Sequence, residues 1–390
     1  MSAQPMGVHA DRADARGRID AVEDAAPGIR ALVTRLTEVA VRGLASMGYR
    51  GGPEVPHTLR GLPSSAGPVA VPQGTSLRYA AIAALGLAAR DLETQEAVFG
   101  GQSAADVASE CLAGAARPGT EPGGVALALW AAGELRGETD PFLVGRLTDA
   151  VLEPGVPTVT CAWALTAALA VPHGGDRLAG IAAERLLAAQ GPAGTYPHTI
   201  PGGTGLRGHI GSFADQVYPV QALSRLAART GEDRYLAAAN ATAARLVRLQ
   251  GPAGQWWWHY DVRTGGVVEG YPVYSVHQHA MAPMVLLELL GAGGDDHRAA
   301  VAKGLHWLEA HPECVEPLIA DELGVVWRKV GRREPPRASR SLAAISSRVH
   351  PKLRVPGLSK LLPPGVVDHE CRPYELGWLM YAWAAPKEEQ

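Results

Sequence analysis

The chain predicts an all-α fold in which six inner and six outer helices close into a ring, on three observations. The motif QGPAG occurs at Gln190–Gly194 and again 60 residues on at Gln250–Gly254, each time closing an Ala-, Leu- and Arg-rich stretch. Segments that are apolar on nearly all sides alternate along the chain with amphipathic ones. Alternating β-branched runs, the mark of half-buried strands, are almost absent.

The apolar segments begin near Thr75, Gly124, Thr158, Phe213, Ser275 and Tyr374. Helices hydrophobic all round are buried, so these six form the inner ring. Between them lie amphipathic stretches at about 28–47, 103–116, 140–152, 176–190, 233–250 and 296–311. They are expected outside, with the first of them packing against the last inner helix to close the circle. A repeat of helical-hairpin length cannot bury its own apolar face and must stack on its neighbours. Residues 1–27, polar and acidic, read as a flexible tail, 28–385 as the ring domain with an insertion at about 312–369, and 386–390 as a second tail.

Composition bounds the function classes. The chain has 390 residues, 47% of them apolar, with a formal charge of −3, which suits a globular protein with a large core. The first residues lack the apolar run of an export signal, and no stretch approaches the ~20 apolar residues of a membrane span. A cytoplasmic location is the expectation. Cys111, Cys161, Cys314 and Cys371 form no CxxC pair and are expected as reduced core thiols, Cys371 being the one nearest other reactive groups.

Twelve segments alternating in this way, at roughly one hairpin per 60 residues, resemble the six-hairpin superfamily of (α/α)6 toroids over about residues 28–385. That fold is shared by bacterial glycoside hydrolases, unsaturated glucuronyl hydrolases, sugar epimerases, some polysaccharide lyases, terpenoid cyclases, protein prenyltransferases and lanthionine synthetases, so the resemblance implies architecture and not a reaction. It also implies that the N-terminal ends of the inner helices ring one funnel-shaped mouth. Zinc chemistry would need converging Cys, His and carboxylate ligands, and no cysteine sits in such a motif; neither metal nor other cofactor is implied. The Asp-x-Asp-Asp acid of class II terpenoid cyclases is missing. QGPAGQW is similar to the Gln-x-x-x-Gly-x-Trp repeats of those enzymes, which are structural.

Chemistry concentrates between residues 256 and 278. Trp256, Trp257, Trp258, Tyr260, Tyr271 and Tyr274 fall within 19 positions, interleaved with His259, Asp261 and Glu269. Three consecutive tryptophans cannot all face one core, so some are expected to offer flat faces to a sugar or a carbocation; the alternative is a packed aromatic cluster over the ring's end. Asp215-Gln216 opens the fourth inner helix, and His277-Gln278 opens the fifth 62 positions on. Glu370-Cys371-Arg372-Pro373-Tyr374-Glu375 opens the sixth. Matched positions on adjacent inner helices should point into one cavity. Each also has a plainer reading: a helix cap for Asp215, an interior histidine for His277, a partner of Arg372 for Glu370.

Within Arg328–Lys360 there are ten Lys/Arg and one acid, Glu334, giving +9 against −12 for the remainder. So long a connection is functional or disordered. Its function would be recognition of an anion, whether a phosphate or diphosphate, an acidic glycan or an anionic lipid surface. It has no aromatic ladder or recognition motif for nucleic acid. The expectation is a carbohydrate-active enzyme acting on an oligosaccharide or glycolipid glycan, by hydrolysis through general acid–base catalysis, with lyase or epimerase chemistry as the variants. Asp215 with Asp261 or Glu370 would be the carboxylate pair, assisted by His277. Trp257, Trp258, His259, Tyr271, Tyr274, Gln278, Arg372, Tyr374 and Glu375 would bind substrate. A cyclase- or prenyltransferase-like enzyme acting on an isoprenoid diphosphate, and a non-catalytic glycan-binding or scaffolding toroid, are the alternatives.

Overall fold

The computed structural model describes residues 15–384 apart from 66–67, 204, 206, 336–337, 352 and 354–356. Its helices are α1 (Ala15–Ala25), α2 (Ile29–Ser46), α3 (Leu77–Leu87), α4 (Leu92–Val98), α5 (Ala104–Ala115), α6 (Pro122–Arg136), α7 (Pro141–Leu152) and α8 (Thr158–Ala170). There follow α9 (Asp176–Ala189), α10 (Phe213–Thr230), α11 (Asp233–Leu249), α12 (Ala282–Gly291), α13 (Arg298–Ala310), α14 (Ala338–Val349), α15 (Leu358–Leu361) and α16 (Pro373–Trp383). The inner ring runs α3, α6, α8, α10, α12, α16, each in contact with the next, and α16 closes on α3. Around it stand α2, α5, α7, α9, α11 and α13. The chain is an (α/α)6 toroid, with inner-helix starts within two residues of those read from the sequence. Among the described residues no helix is long and apolar enough to cross a membrane.

Local chemistry sets the helix ends. Ser76 and Ser212 cap α3 and α10 through their hydroxyls, and Pro opens α6, α7 and α16, where its missing N–H costs nothing. A π-helical turn, His277–Met281, leads into α12. Pro283 cannot donate to the carbonyl of His279, four residues back. That carbonyl instead accepts from Trp383 Nε1 at 3.0 Å, which ties α12 to α16.

The two QGPAG motifs form equivalent corners. In each, the amide of the first glycine (Gly191, Gly251) donates to the residue four on (Thr195, Gln255), at 2.8 and 2.9 Å. The glutamine side chain reaches the next outer helix: Gln190 donates to Ala238 O at 2.8 Å, Gln250 to Ala300 O at 2.9 Å. Gly194 and Gly254 have φ +80° and +104°, the region glycine tolerates best.

One expectation is corrected. Residues 15–25 of the expected tail form α1, which packs across α13, α2 and α16 at the seam of the ring; residues 1–14 and 385–390 lie outside the described ones. Strands are also present, two to five residues long, in small antiparallel sheets built from the inter-helix connections. Pieces so short carry no readable period. The insertion contributes several of them, together with α14 and α15.

The seam itself is glycine on glycine: a Cβ on Gly86 would lie 2.2 Å from Gly377 O, and one on Gly377 2.7 Å from Ile82 O. Gly86→Ala should therefore destabilise the fold by about 1–3 kcal/mol through overpacking, read as a lower denaturant midpoint at unchanged m-value. The corners give a ranking. A Cβ on Gly254 would meet Lys303 O at 2.0 Å, whereas on Gly194 it would stay 3.0 Å from Ala241 O. Gly254→Ala should lower the thermal midpoint more than Gly194→Ala; equal shifts would mean that the positive φ, and not the close approach, dominates.

Candidate active site

The mouth is assembled by the connections as much as by the helices. The amide of Thr158, first residue of α8, donates to His198 O at 2.9 Å. Phe213, first residue of α10, donates to Trp258 O at 2.9 Å, and Ser275, before the π-turn, to Arg328 O at 3.0 Å. Glu370 and Cys371, just before α16, pair with Arg60 and Leu59. Three connections thus cap the preceding inner helix and a fourth pairs with the segment before α16, and each places a side chain at the mouth: His198, Trp258, Arg328 and Arg60.

One wall carries a histidine–carboxylate pair. Asp215 is fully buried at the third position of α10, its Oδ2 accepting from Ser212 N at 2.7 Å and Ser212 Oγ at 2.8 Å. Its two oxygens also lie 3.3 and 3.2 Å from His198 Nδ1. A carboxylate accepts, so Nδ1 carries the proton and Nε2 is left as the exchangeable atom. The His198 side chain is 66% exposed, and hydrogen bonding to Asp215 raises its pKa. Asp215 is therefore both the cap and the support of a histidine that the sequence analysis did not single out.

The opposite wall is a lattice of guanidinium and carboxylate groups. Glu370 pairs with Arg60, with Arg328 at 3.2 Å and with Arg372 at 3.2 Å. Arg328 also lies 3.4 Å from the wholly buried Glu375, which accepts from Arg372 N at 3.2 Å. Burial pushes the Glu375 carboxyl up to about 7, against the pull of Arg328. Lys329 pairs with Asp368 at 2.8 Å. Four cations face three carboxyls, one of them near half-protonated at neutral pH, so the wall is net positive.

Aromatic rings join the two walls. Tyr374 lies over Tyr79 (4.9 Å between centroids), and Tyr79 over His57 (5.1 Å); Arg372 donates to Tyr79 Oη at 3.2 Å. Tyr274 packs on Trp258 (4.5 Å) under the Arg328 guanidinium (5.1 Å). Trp163 meets Tyr218 edge-on at 5.0 Å, and Tyr218 Oη accepts from Trp378 Nε1 at 2.9 Å.

Several expected site residues have other places. Both oxygens of Asp261 are bound by Arg263, at 3.0 and 2.7 Å, and it is buried in a turn beside the insertion. Gln278 clamps backbone: it accepts from Trp256 N at 3.3 Å and donates to Tyr274 O at 3.1 Å. Gln216 does the same to Tyr196 at the matched place, so the repeat recognised by spacing is structural. His277 is buried against Phe213 and Trp258, and desolvation pushes its pKa down to about 3, which leaves it neutral. His259 is also buried, held down to about 2 by desolvation and lying 3.3 Å from Arg207. The three tryptophans diverge: Trp256 is in the core, Trp258 is at the mouth, and Trp257 sits with Tyr271 in a separate cavity of about 650 Å³ beside the insertion. Tyr271 donates to Glu313 at 3.1 Å and carries Arg332 over its ring. Cys371 is buried beneath the mouth, its thiol pushed up by desolvation. Among the described residues no cluster of three His, Cys, Asp or Glu side chains is placed to hold a metal ion.

The pair on the first wall gives a direct test. Asp215→Asn should lower the pKa of His198, followed by NMR titration of its imidazole resonances, because the favourable partner of the imidazolium is gone. An unchanged His198 titration would break the link between the two side chains.

Neither a protein-family model nor a curated protein matches the sequence. Among solved structures the fold is similar to the unsaturated glucuronyl hydrolase of Bacillus sp. GL1, responsible for the degradation of glycosaminoglycan (TM-score 0.56, 12% identity, 90% of this chain and 95% of that one). It is similar also to an unsaturated glucuronyl hydrolase specific for heparin (0.56, 11%, 90% and 96%). A third, from Streptococcus agalactiae, gives 0.53 at 9% identity over 98% and 97% of the two chains. At such identities the likeness is one of fold, and it joins this chain to the (α/α)6 toroids over nearly its whole length.

Proposed function

We propose that the protein hydrolyses a glycosidic bond in an acidic oligosaccharide. The observation that carries this reading is the exposed His198, backed by buried Asp215, facing a net-positive arginine wall across an aromatic mouth. With Nδ1–H held by Asp215, Nε2 can give a proton to a glycosidic oxygen or take one from an attacking water. Asp215 stabilises the imidazolium formed, as a positioning residue. Glu370, shared among three guanidinium groups, serves to hold Arg60, Arg328 and Arg372. Those arginines suit a carboxylate or sulfate on the sugar, for which the guanidinium fork is the matching donor. Tyr79, Tyr274 and Trp258 offer rings for the apolar faces of the sugar. The names of the solved neighbours agree with an acidic glycan, and carrying that substrate class over is part of the proposal.

The test is reducing-end release from matched acidic and neutral oligosaccharides, with isoprenoid diphosphates assayed in parallel. The acidic panel should be cleaved. His198→Ala should lower kcat by roughly 10²-fold or more, the range of a lost general acid–base, and Arg372→Met should raise KM more than it lowers kcat. Turnover of a diphosphate and of no glycan would transfer the mouth to the cyclase-like reading; full activity of His198→Ala would remove histidine from the mechanism.

A further inference from the structure

Helix α14 is seated the wrong way round for a soluble surface. Its buried residues are Ser339, Ala343, Ala344 and Ser347, all small or polar. Its large apolar side chains face outward: Leu342 is 46% exposed, Ile345 48% and Val349 76%. Positions i, i+3 and i+7 lie on one stripe of a helix, so these three form a continuous face. Leu353 and Leu361, beyond the helix, are also exposed.

The orientation is held by hydrogen bonds from the toroid. Arg263 donates to Ser347 O at 2.6 Å, and His209 Nε2 lies 3.0 Å from Ser347 Oγ. Both come from the segments around the strands that lead to the mouth. Turning the apolar stripe inward would break both contacts.

The exposed charges described between Arg333 and Lys360 have one sign. Of the insertion's basic residues, Arg328, Lys329 and Arg332 are drawn into ion pairs with Glu370, Asp368 and Glu269. Arg333, Arg348 and Lys360 remain exposed and form no ion pair among the described residues. The single acid between Arg328 and Lys360, Glu334, is directed to the backbone of α14, accepting from Ser339 N at 2.6 Å.

We propose that this face docks the protein onto an anionic lipid bilayer, with α14 lying flat at the headgroup level and its leucine, isoleucine and valine inserted among the acyl chains. An apolar stripe flanked by arginine and lysine is the composition such an interface selects, the basic groups meeting lipid phosphates while the stripe leaves water. A second copy of the chain is a poor occupant, because two like-charged faces would be brought together. A free polyanion would use the arginines and leave the apolar stripe in water. Docking by α14 is independent of the hydrolytic reading, since it concerns where the mouth is held and not what it cleaves.

The experiment is flotation of the full chain with vesicles of pure phosphatidylcholine and of phosphatidylcholine mixed with phosphatidylglycerol, at low and high salt. Binding is expected to the mixed vesicles alone and to weaken with salt. The triple variant Leu342→Ser/Ile345→Ser/Val349→Ser, whose changes all lie on the solvent face, should keep the wild-type circular dichroism and lose binding roughly tenfold or more. Arg348→Gln/Lys360→Gln should weaken binding to the mixed vesicles and leave the fold intact. The proposal is overturned if the wild type ignores mixed vesicles, or if the triple variant binds them as tightly. It is overturned equally if light scattering finds a dimer that the triple variant converts to monomer, which would assign the face to a second copy.

Discussion

An inner helix of a toroid begins against other protein, so its first N–H groups, which have no acceptor within the helix, must find carbonyls elsewhere. At three of the six, one such group finds a carbonyl on the connection that leads to the next inner helix, as the bonds from Thr158, Phe213 and Ser275 to His198, Trp258 and Arg328 demonstrate. A backbone that delivers its carbonyl there delivers a side chain beside it. Capping and site-building are one act, and the identity of the residue at each repeat decides the chemistry of that sector: imidazole, indole, guanidinium. The Arg60 sector, set by strand pairing with Glu370, completes the arginine wall.

The far end of the ring is closed by a different device. Arg225 on α10 reaches Glu288 on α12 at 2.7 Å, Glu134 on α6 at 3.6 Å and Tyr381 Oη on α16 at 2.6 Å, with Trp130 under its guanidinium. One buried cation thus ties four inner helices together near their C-terminal ends. Such a network adds less net stability than its contacts suggest, because each ion has been taken out of water, but losing one partner would leave a buried charge unpaired. The network fills this end of the ring, opposite the inner-helix starts that form the mouth.

This division explains what the sequence made legible. The six inner helices are apolar on nearly all sides, a pattern that survives in any register, and their starts at Leu77, Pro122, Thr158, Phe213, His277 and Pro373 lie close to where composition changes. The site was partly legible for the same reason: Asp215, Arg372, Tyr374 and Glu375 lie on helix starts. His198 and Arg328 do not; they sit in connections without periodicity, where a single histidine or arginine has no pattern to stand out from. The signal for His198 was present in the QGPAG repeat, since His198 and Trp258 are separated by the same 60 positions as the two motifs. Matching helix starts instead of corners led to Gln216 and Gln278, which hold backbone. Asp261 was misplaced because an acid in an aromatic run reads as chemistry, while its partner Arg263, two residues on, makes it a turn.

The insertion read as a basic arm is two structures joined end to end. Its first strand, Lys329–Arg332, is clamped between Val273–Tyr274 and Pro364–Asp368, and the residues along it alternate in destination. Arg328 and Lys329 turn to the mouth, while Arg332 turns to Glu269 under the cavity beside Trp257. From α14 onward the chain turns outward, and the charges no longer have carboxylates opposite them. A net charge of +9 along one segment therefore does not describe one anion-binding surface. The charges paired within the toroid position the wall of the site, and only those left over after that pairing can act on anything outside it.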